Sequence, residues 1–274
     1  MPRPTDFHNR LAGRVAIITG AGSTSDAAGG VGIGRAIATL FAREGASVCL
    51  ADRDAERAQE TLSEILNSGG TACIAIGDVT RAADCRRIVA ETVAQFGAPT
   101  ILVNNVGVAG GGGLDTFDEP AWQTMIDVNL KSAILMSHHV LASMRGAGGG
   151  AIVNIASIAG LRRYGGLGYG PSKAALIALT GEIALLHGRE GIRANCIAPG
   201  HILTPFARGL ISADARERRR RVGPLGIEGD AWDVAAAALF LASDEARFVT
   251  GACLPVDGGV LELGSLAACD LVAG

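Results

Sequence analysis

Tyr169 and Lys173 stand four residues apart at the start of a stretch with helical character, so their side chains share one face. An ammonium beside a phenol favours the phenolate and draws an ordinary pKa of about 10 towards the working range. A tyrosine tuned in this way can exchange a proton with an alcohol or ketone oxygen. Taken alone, Tyr-x-x-x-Lys is common, and its plain reading is two surface residues of a helix. Ser157, twelve residues earlier, directly follows the apolar run Ile152–Ile155. A hydroxyl at that end of a parallel strand opens on the ligand crevice. A glycine-rich segment offers a second chemistry. Thr19-Gly20-Ala21-Gly22-Ser23 precedes Gly29-Gly30-Val31-Gly32-Ile33-Gly34-Arg35. Glycines there let the backbone turn tightly and approach a pyrophosphate at the following helix N-terminus, although an ordinary strand-to-helix turn has the same look. The next apolar run ends at Asp52, where a carboxylate meets adenosine ribose hydroxyls and repels the 2'-phosphate of NADP. Arg53 beside it can accommodate that phosphate, and the balance favours NAD.

These groups need elements to hold them, and the chain supplies an alternation of short β-branched runs and helical stretches. Strands are expected at Val15–Thr19, Ser47–Leu50, Ala72–Ile76, Ile101–Val103, Ile152–Ile155, Ala194–Ile197 and Ala252–Val256. Helices are expected at 34–44, 54–68, 82–96, 121–144, 169–187 and 231–243. The alternation predicts right-handed βαβ units: an α/β, doubly wound, parallel Rossmann-type sheet covered on both faces, in a single domain over 1–274. The stretch Pro205–Gly229 breaks the pattern and reads as a lid-like excursion. Its run Arg218-Arg219-Arg220-Arg221 either meets an anionic substrate or forms a solvated helix face.

Composition narrows the class. Hydrophobic residues at 49% and charged residues at 19% describe a globular chain, and no apolar run approaches a membrane span. A net charge of −3 and 4% aromatics make no case for nucleic acid. The six cysteines are scattered without a C-x-x-C pair or a histidine at metal spacing, and the N-terminus lacks a secretory layout. The expectation is a reduced, cytoplasmic protein with no metal site, no nucleic-acid partner and no membrane partner.

In these residues the sequence resembles the short-chain dehydrogenase/reductase family over about Leu11 to Gly259. Thr19-Gly20 through Gly32-Ile33-Gly34 looks like the family's cofactor-binding glycine motif. Asp78-Val79 matches the pair that contacts adenine, and Asn104-Asn105-Val106-Gly107 resembles the Asn-Asn-Ala-Gly segment. Asn129 matches the asparagine that supports the proton relay, and Ser157, Tyr169 and Lys173 match the other active-site residues. Pro199-Gly200, with Ile202 and Thr204, resembles the segment that holds the nicotinamide carboxamide, and Asp257-Gly258-Gly259 resembles the C-terminal signature. The resemblance implies strand order 3-2-1-4-5-6-7 and hydride transfer on a nicotinamide. Tyr169 would be the acid/base, Lys173 would tune it and grip the nicotinamide ribose, Ser157 would hold the substrate oxygen, and Asn129 a water of the relay. Two departures stand out. The segment Thr24–Val31 is inserted into the glycine motif, leaving Gly20, Gly32 and Gly34 as the glycines at the pyrophosphate, with Ser23 beside them. The Ser-to-Tyr spacing is one short, which trims the loop Leu161–Gly168.

The reading that follows is an NAD-dependent oxidoreductase interconverting a secondary alcohol and a ketone. Its rivals are a 3-oxoacyl-thioester reductase and a non-catalytic dinucleotide-binding sensor or scaffold. The substrate pocket falls to 205–229, 161–168 and 108–114, whose small and apolar residues favour an uncharged, hydrophobic small molecule. His201 is a candidate substrate contact. The helices 121–144 and 169–187 are apolar on more than one stripe, which fits the family's pairing of these helices between subunits, usually in homotetramers. The apolar tail 261–274 is expected at a subunit interface or rimming a neighbouring site.

Overall fold

Val15–Thr19 (β1) is apolar at four of five positions and buried at all of them, as a central strand covered on both faces must be. The computed structural model describes residues 9–22, 30–209 and 211–273. Around β1 lie Ser47–Asp52 (β2), Thr71–Ile76 (β3), Ile101–Asn104 (β4), Gly150–Ile155 (β5), Ile192–Pro199 (β6) and Cys253–Val256 (β7). They form one sheet in the order β3-β2-β1-β4-β5-β6-β7, and every neighbouring pair is parallel. The order reverses between β1 and β4, which opens a crevice at their carboxyl ends.

The connecting helices are Ile33–Arg43 (α1), Ala55–Asn67 (α2), Ala82–Phe96 (α3), Glu119–Ile126 (α4), Ser132–Gly146 (α5), Tyr169–His187 (α6) and Ala231–Ala242 (α9). One core lies under α1 and α9, with Ile18, Phe41, Leu50, Val153 and Leu239 among its buried residues. The other lies under α3, α5 and α6 and includes Ile17, Ile88, Leu102, Met136 and Ile183. Arg193 of β6 anchors the end of α9 by donating from Nη1 to Leu241 O at 2.8 Å and from Nη2 to Ser243 O at 3.0 Å. A guanidinium there satisfies carbonyls that the last helical turn leaves open.

Three expectations are refined. The single helix over 121–144 is two helices joined by a π-turn, Asp127–Lys131, with Asn129 in it. The excursion after Pro205 is helical: Pro205–Arg208 (α7) and Ala213–Val222 (α8), the latter capped by Ser212, whose hydroxyl accepts from Ala215 N. The tail forms Ser265–Ala273 (α10), which packs on α8 of its own chain, so the tail has an intramolecular partner. Ser23 and most of the insertion lie outside the described residues. No helix among those described is long and apolar enough to cross a membrane.

Candidate active site

The described candidate residues lie at the carboxyl ends of strands, at helix starts and, for Asn129, in the π-turn between α4 and α5. After β1 the chain turns at Gly20 with φ +66°, a left-handed value that glycine adopts without a Cβ penalty. Gly34, in the first turn of α1, lies so close that a Cβ would meet Gly20 O at 2.1 Å. Asn105 locks the two together by donating from Nδ2 to Thr19 O at 3.0 Å and to Gly20 O at 3.3 Å. The α1 N-terminus begins at Gly32, which offers no side-chain cap, and no acidic residue sits in the first turn. Among the described residues no side chain caps this helix end, and its positive dipole fits a pyrophosphate.

Asp52, the last residue of β2, accepts from Gly22 N at 2.8 Å and from Asp54 N at 3.0 Å, one on each carboxylate oxygen. The carboxylate is thereby fixed, and each oxygen keeps a lone pair for a ribose hydroxyl. Arg53 is exposed beside it. Beyond β3, Asp78 accepts from Thr80 N and Oγ1 at 2.9 and 2.7 Å, while Val79 is buried next to it. These residues lie along the β2–β3 edge of the sheet, and the donor set, glycine cradle and carboxylate fit a dinucleotide.

The other side holds the proton chemistry. Tyr169 opens α6, and Lys173 follows one turn later with only 3% of its surface exposed. Lys173 Nζ donates to Ile155 O at the end of β5 at 2.8 Å and lies 5.9 Å from the Tyr169 ring centroid. Burial pulls the Lys173 ammonium down to about 8. Burial also pushes the Tyr169 phenol above its ordinary value, with a hydrogen bond to Ser157 acting the other way. Desolvation of the phenol thus sets the direction of its shift, opposite to the lowering expected from the lysine. Ser157 Oγ is oriented by accepting from Ala159 N at 3.1 Å.

Asn129 reaches this group because the π-turn offsets it from the helix flanking it. Its Oδ1 accepts from Val108 N at 2.8 Å, and its Nδ2 donates to Val108 O at 3.0 Å and to Ser172 Oγ at 2.9 Å. Gly107 closes the gap: a Cβ there would lie 3.2 Å from Lys173 Nζ and 3.4 Å from Asn129 Oδ1.

A cleft of about 210 Å³ collects Gly32, Ile33, Gly34, Asn105, Gly107, Tyr169, Lys173, Pro199 and Thr204 from six different elements or loops. Thr204 also caps α7, its hydroxyl accepting from Ala207 N at 3.2 Å. Gly200 and Ile202 face a neighbouring cavity instead. Asp52, Arg53, Asp78 and Val79 lie along the sheet edge outside the wall of this cleft. Residues the motifs did not mark also contribute. Val108, Ala109, Ile155, Ala156 and Pro205 line the cleft, and Thr19 Oγ1 accepts from Asn105 N at 3.0 Å. A position at a strand end or one residue past a motif was the available signal for each.

A family model described as enoyl-(acyl carrier protein) reductase matches residues 27–261. The 2,5-dichloro-2,5-cyclohexadiene-1,4-diol dehydrogenase of Sphingobium indicum is 37% identical over 252 residues, 92% of this chain and 97% of its own. The cyclohexanol dehydrogenase of an Acinetobacter species is 37% identical over 252 residues, 91% of this chain and 96% of its own. Among solved structures, a Burkholderia xenovorans chain described as a short-chain dehydrogenase/reductase has a TM-score of 0.88 and 43% identity, covering 93% of this chain and 99% of that one.

Proposed function

We propose a reading that starts from one fact: the chain belongs to the short-chain dehydrogenase/reductase family. It is therefore an oxidoreductase of alcohols and ketones, served by a nicotinamide dinucleotide. Within that class it is an NAD-dependent dehydrogenase of small, ring-bearing secondary alcohols, working in the cytoplasm as a homotetramer. Asp52 supports NAD, because a fixed carboxylate at the ribose repels a 2'-phosphate. The dehydrogenases of cyclic alcohols among its relatives support the substrate class, together with small and apolar walls around the reacting end.

The observation that carries the reading is Lys173, buried beside Tyr169 and fixed to Ile155 O. Gly20, Gly32 and the α1 N-terminus would hold the pyrophosphate, Asp52 would accept from the ribose hydroxyls, and Asp78 and Val79 would lie on the adenine side. The nicotinamide, when bound, supplies the hydride acceptor. Ser157 Oγ steadies the substrate oxygen and Tyr169 Oη takes its proton as the alcohol is oxidised. Lys173 holds positive charge beside the phenol, and Asn129 fixes the Val108 backbone that closes the relay.

Nicotinamide absorbance followed with NAD+ or NADP+ across cyclohexanols, with Tyr169→Phe as control, tests this. The expected result is turnover with NAD+ that falls at least about a hundredfold in the variant. Turnover with NADP+ alone overturns the role given to Asp52. Unimpaired turnover in Tyr169→Phe overturns the site.

A further inference from the structure

Two cavities flank the chain at Pro199–Gly200. Pro199 lines the catalytic cleft, whereas Gly200 and His201 line a second space of about 420 Å³ between the excursion and the end of β7. The wall between them is one chain thick, and a Cβ on Gly200 would meet Ile158, the neighbour of Ser157, at 2.5 Å. The loop 161–168 that leads into Tyr169 lies alongside, since Tyr164 feels the charges of Asp257, Arg219 and Arg162.

Arg219 differs from the arginines around it. Arg218 is exposed, Arg220 is engaged with Glu217 and with Gly226 O, and Arg221, although half-buried, does not line the second cavity. Arg219 is half-buried and lines the second cavity, and its guanidinium has no hydrogen bond or ion pair with any described residue. Its backbone carbonyl accepts from His201 Nδ1 at 3.1 Å, which holds His201 in a left-handed conformation with φ +56°. A carbonyl can only accept, so Nδ1 carries the proton.

The carboxylates nearby are committed elsewhere. Asp257 accepts from Gly259 N and Leu261 N, both at 2.9 Å, and Asp233 accepts from Asp230 N at 2.8 Å. Glu228 grips Arg216 through both oxygens. Arg162 adds positive charge at the rim, where its Nη2 donates to Leu261 O at 3.1 Å. A planar guanidinium fork with its donors unused matches a carboxylate in shape and charge.

We propose that the second cavity receives a carboxylate read by Arg219, and that its source is an acid group on the substrate whose ring carbinol meets Tyr169. The source rests on the dehydrogenase reading above; the carboxylate site does not. The reacting end of the substrate stays uncharged and apolar, and the charge lies at its far end.

The test compares NAD+-dependent oxidation of cyclohexanols bearing a ring carboxylate with their methyl counterparts, in wild type, Arg219→Met and Arg219→Lys. In parallel, melting temperatures are measured with cyclohexanecarboxylate and with the neutral cyclohexanecarboxamide. The expected result is a preference for the carboxylate in kcat/KM that drops roughly tenfold to a hundredfold in Arg219→Met, mostly through KM. Arg219→Lys, which keeps the charge and loses the fork, falls in between. Cyclohexanecarboxylate stabilises the wild type and not Arg219→Met, and the carboxamide stabilises neither. A stabilisation that depends on Arg219 without a preference among alcohols supports the site and assigns it to a free carboxylate. The same stabilisation in a protein that oxidises none of the alcohols supports the site and sinks the dehydrogenase reading. Alcohol oxidation with neither an Arg219-dependent shift nor a carboxylate preference overturns the proposal and leaves the dehydrogenase reading standing.

Discussion

Lys173 carries the sharpest consequence at the scale of single residues. Its folded pKa of about 8 lies below the ordinary lysine value of 10.5, so between those values the folded protein binds fewer protons than the unfolded chain. Stability from this group therefore rises with pH through that window, and below pH 8 its buried charge costs of the order of 3 kcal/mol. Tyr169, shifted upwards, acts oppositely, but only above its ordinary value of about 10. Chemical denaturation from pH 7 to 10, without added nucleotide, should show the wild type gaining stability relative to Lys173→Met. Parallel curves for the two proteins would show that the ammonium is not buried as described. The Tyr-Lys spacing was legible in the sequence, but the direction of the tyrosine shift was not, because desolvation depends on what covers the ring.

At the scale of elements, the glycine turn and the strand ends decide whether the site exists. Gly34→Ala places a methyl carbon against the Gly20 carbonyl, where only backbone movement can relieve it. The expected cost is about 1–3 kcal/mol, together with loss of nucleotide binding, read by melting temperature and by NADH fluorescence titration. A buried chain of amides does similar positioning behind the site. Asn104 Nδ2 donates to Asn154 Oδ1 at 2.8 Å, and Asn154 Nδ2 donates to Thr180 Oγ1 at 2.9 Å, tying β4 and β5 to α6. Asn154→Leu leaves an Asn104 donor unmatched and should lower stability by about 1–3 kcal/mol, with KM rising as α6 loosens. An unchanged urea midpoint would remove this network from the account. Periodicity located most elements to within two residues, yet it merged α4 and α5, since a π-turn adds one residue without interrupting the apolar pattern. Within 205–229 it suggested a helix only as a solvated face of the arginine run, because α8 has no apolar stripe and gains its hold from Arg216–Glu228 and from α10.

At the scale of the whole molecule, large apolar side chains stand open: Leu185 is 80% exposed, Leu186 67% and Phe248 96%. The first two lie on α6, and exposure of this kind fits a face meant for another subunit. Sedimentation of the wild type should report four chains, and Leu185→Lys with Leu186→Lys should reduce that number; a monomeric wild type would contradict the tetramer. The sequence by itself determined the α/β alternation of a parallel sheet and the spacing of Tyr169 and Lys173, whereas the strand order and the grouping of Ser157 and Asn129 with that pair were implied by the family resemblance. Alternating hydrophobic runs, turn glycines and spacings within one helix are local properties that the chain carries wherever it folds. Only the tertiary structure decided which of four arginines lines the second cavity, how Asp52 is held by Gly22 and Asp54, and that the tail helix lies on α8. Each of those depends on groups brought together from distant parts of the chain, and burial, which sets their charge and their partners, has no counterpart in a linear spacing.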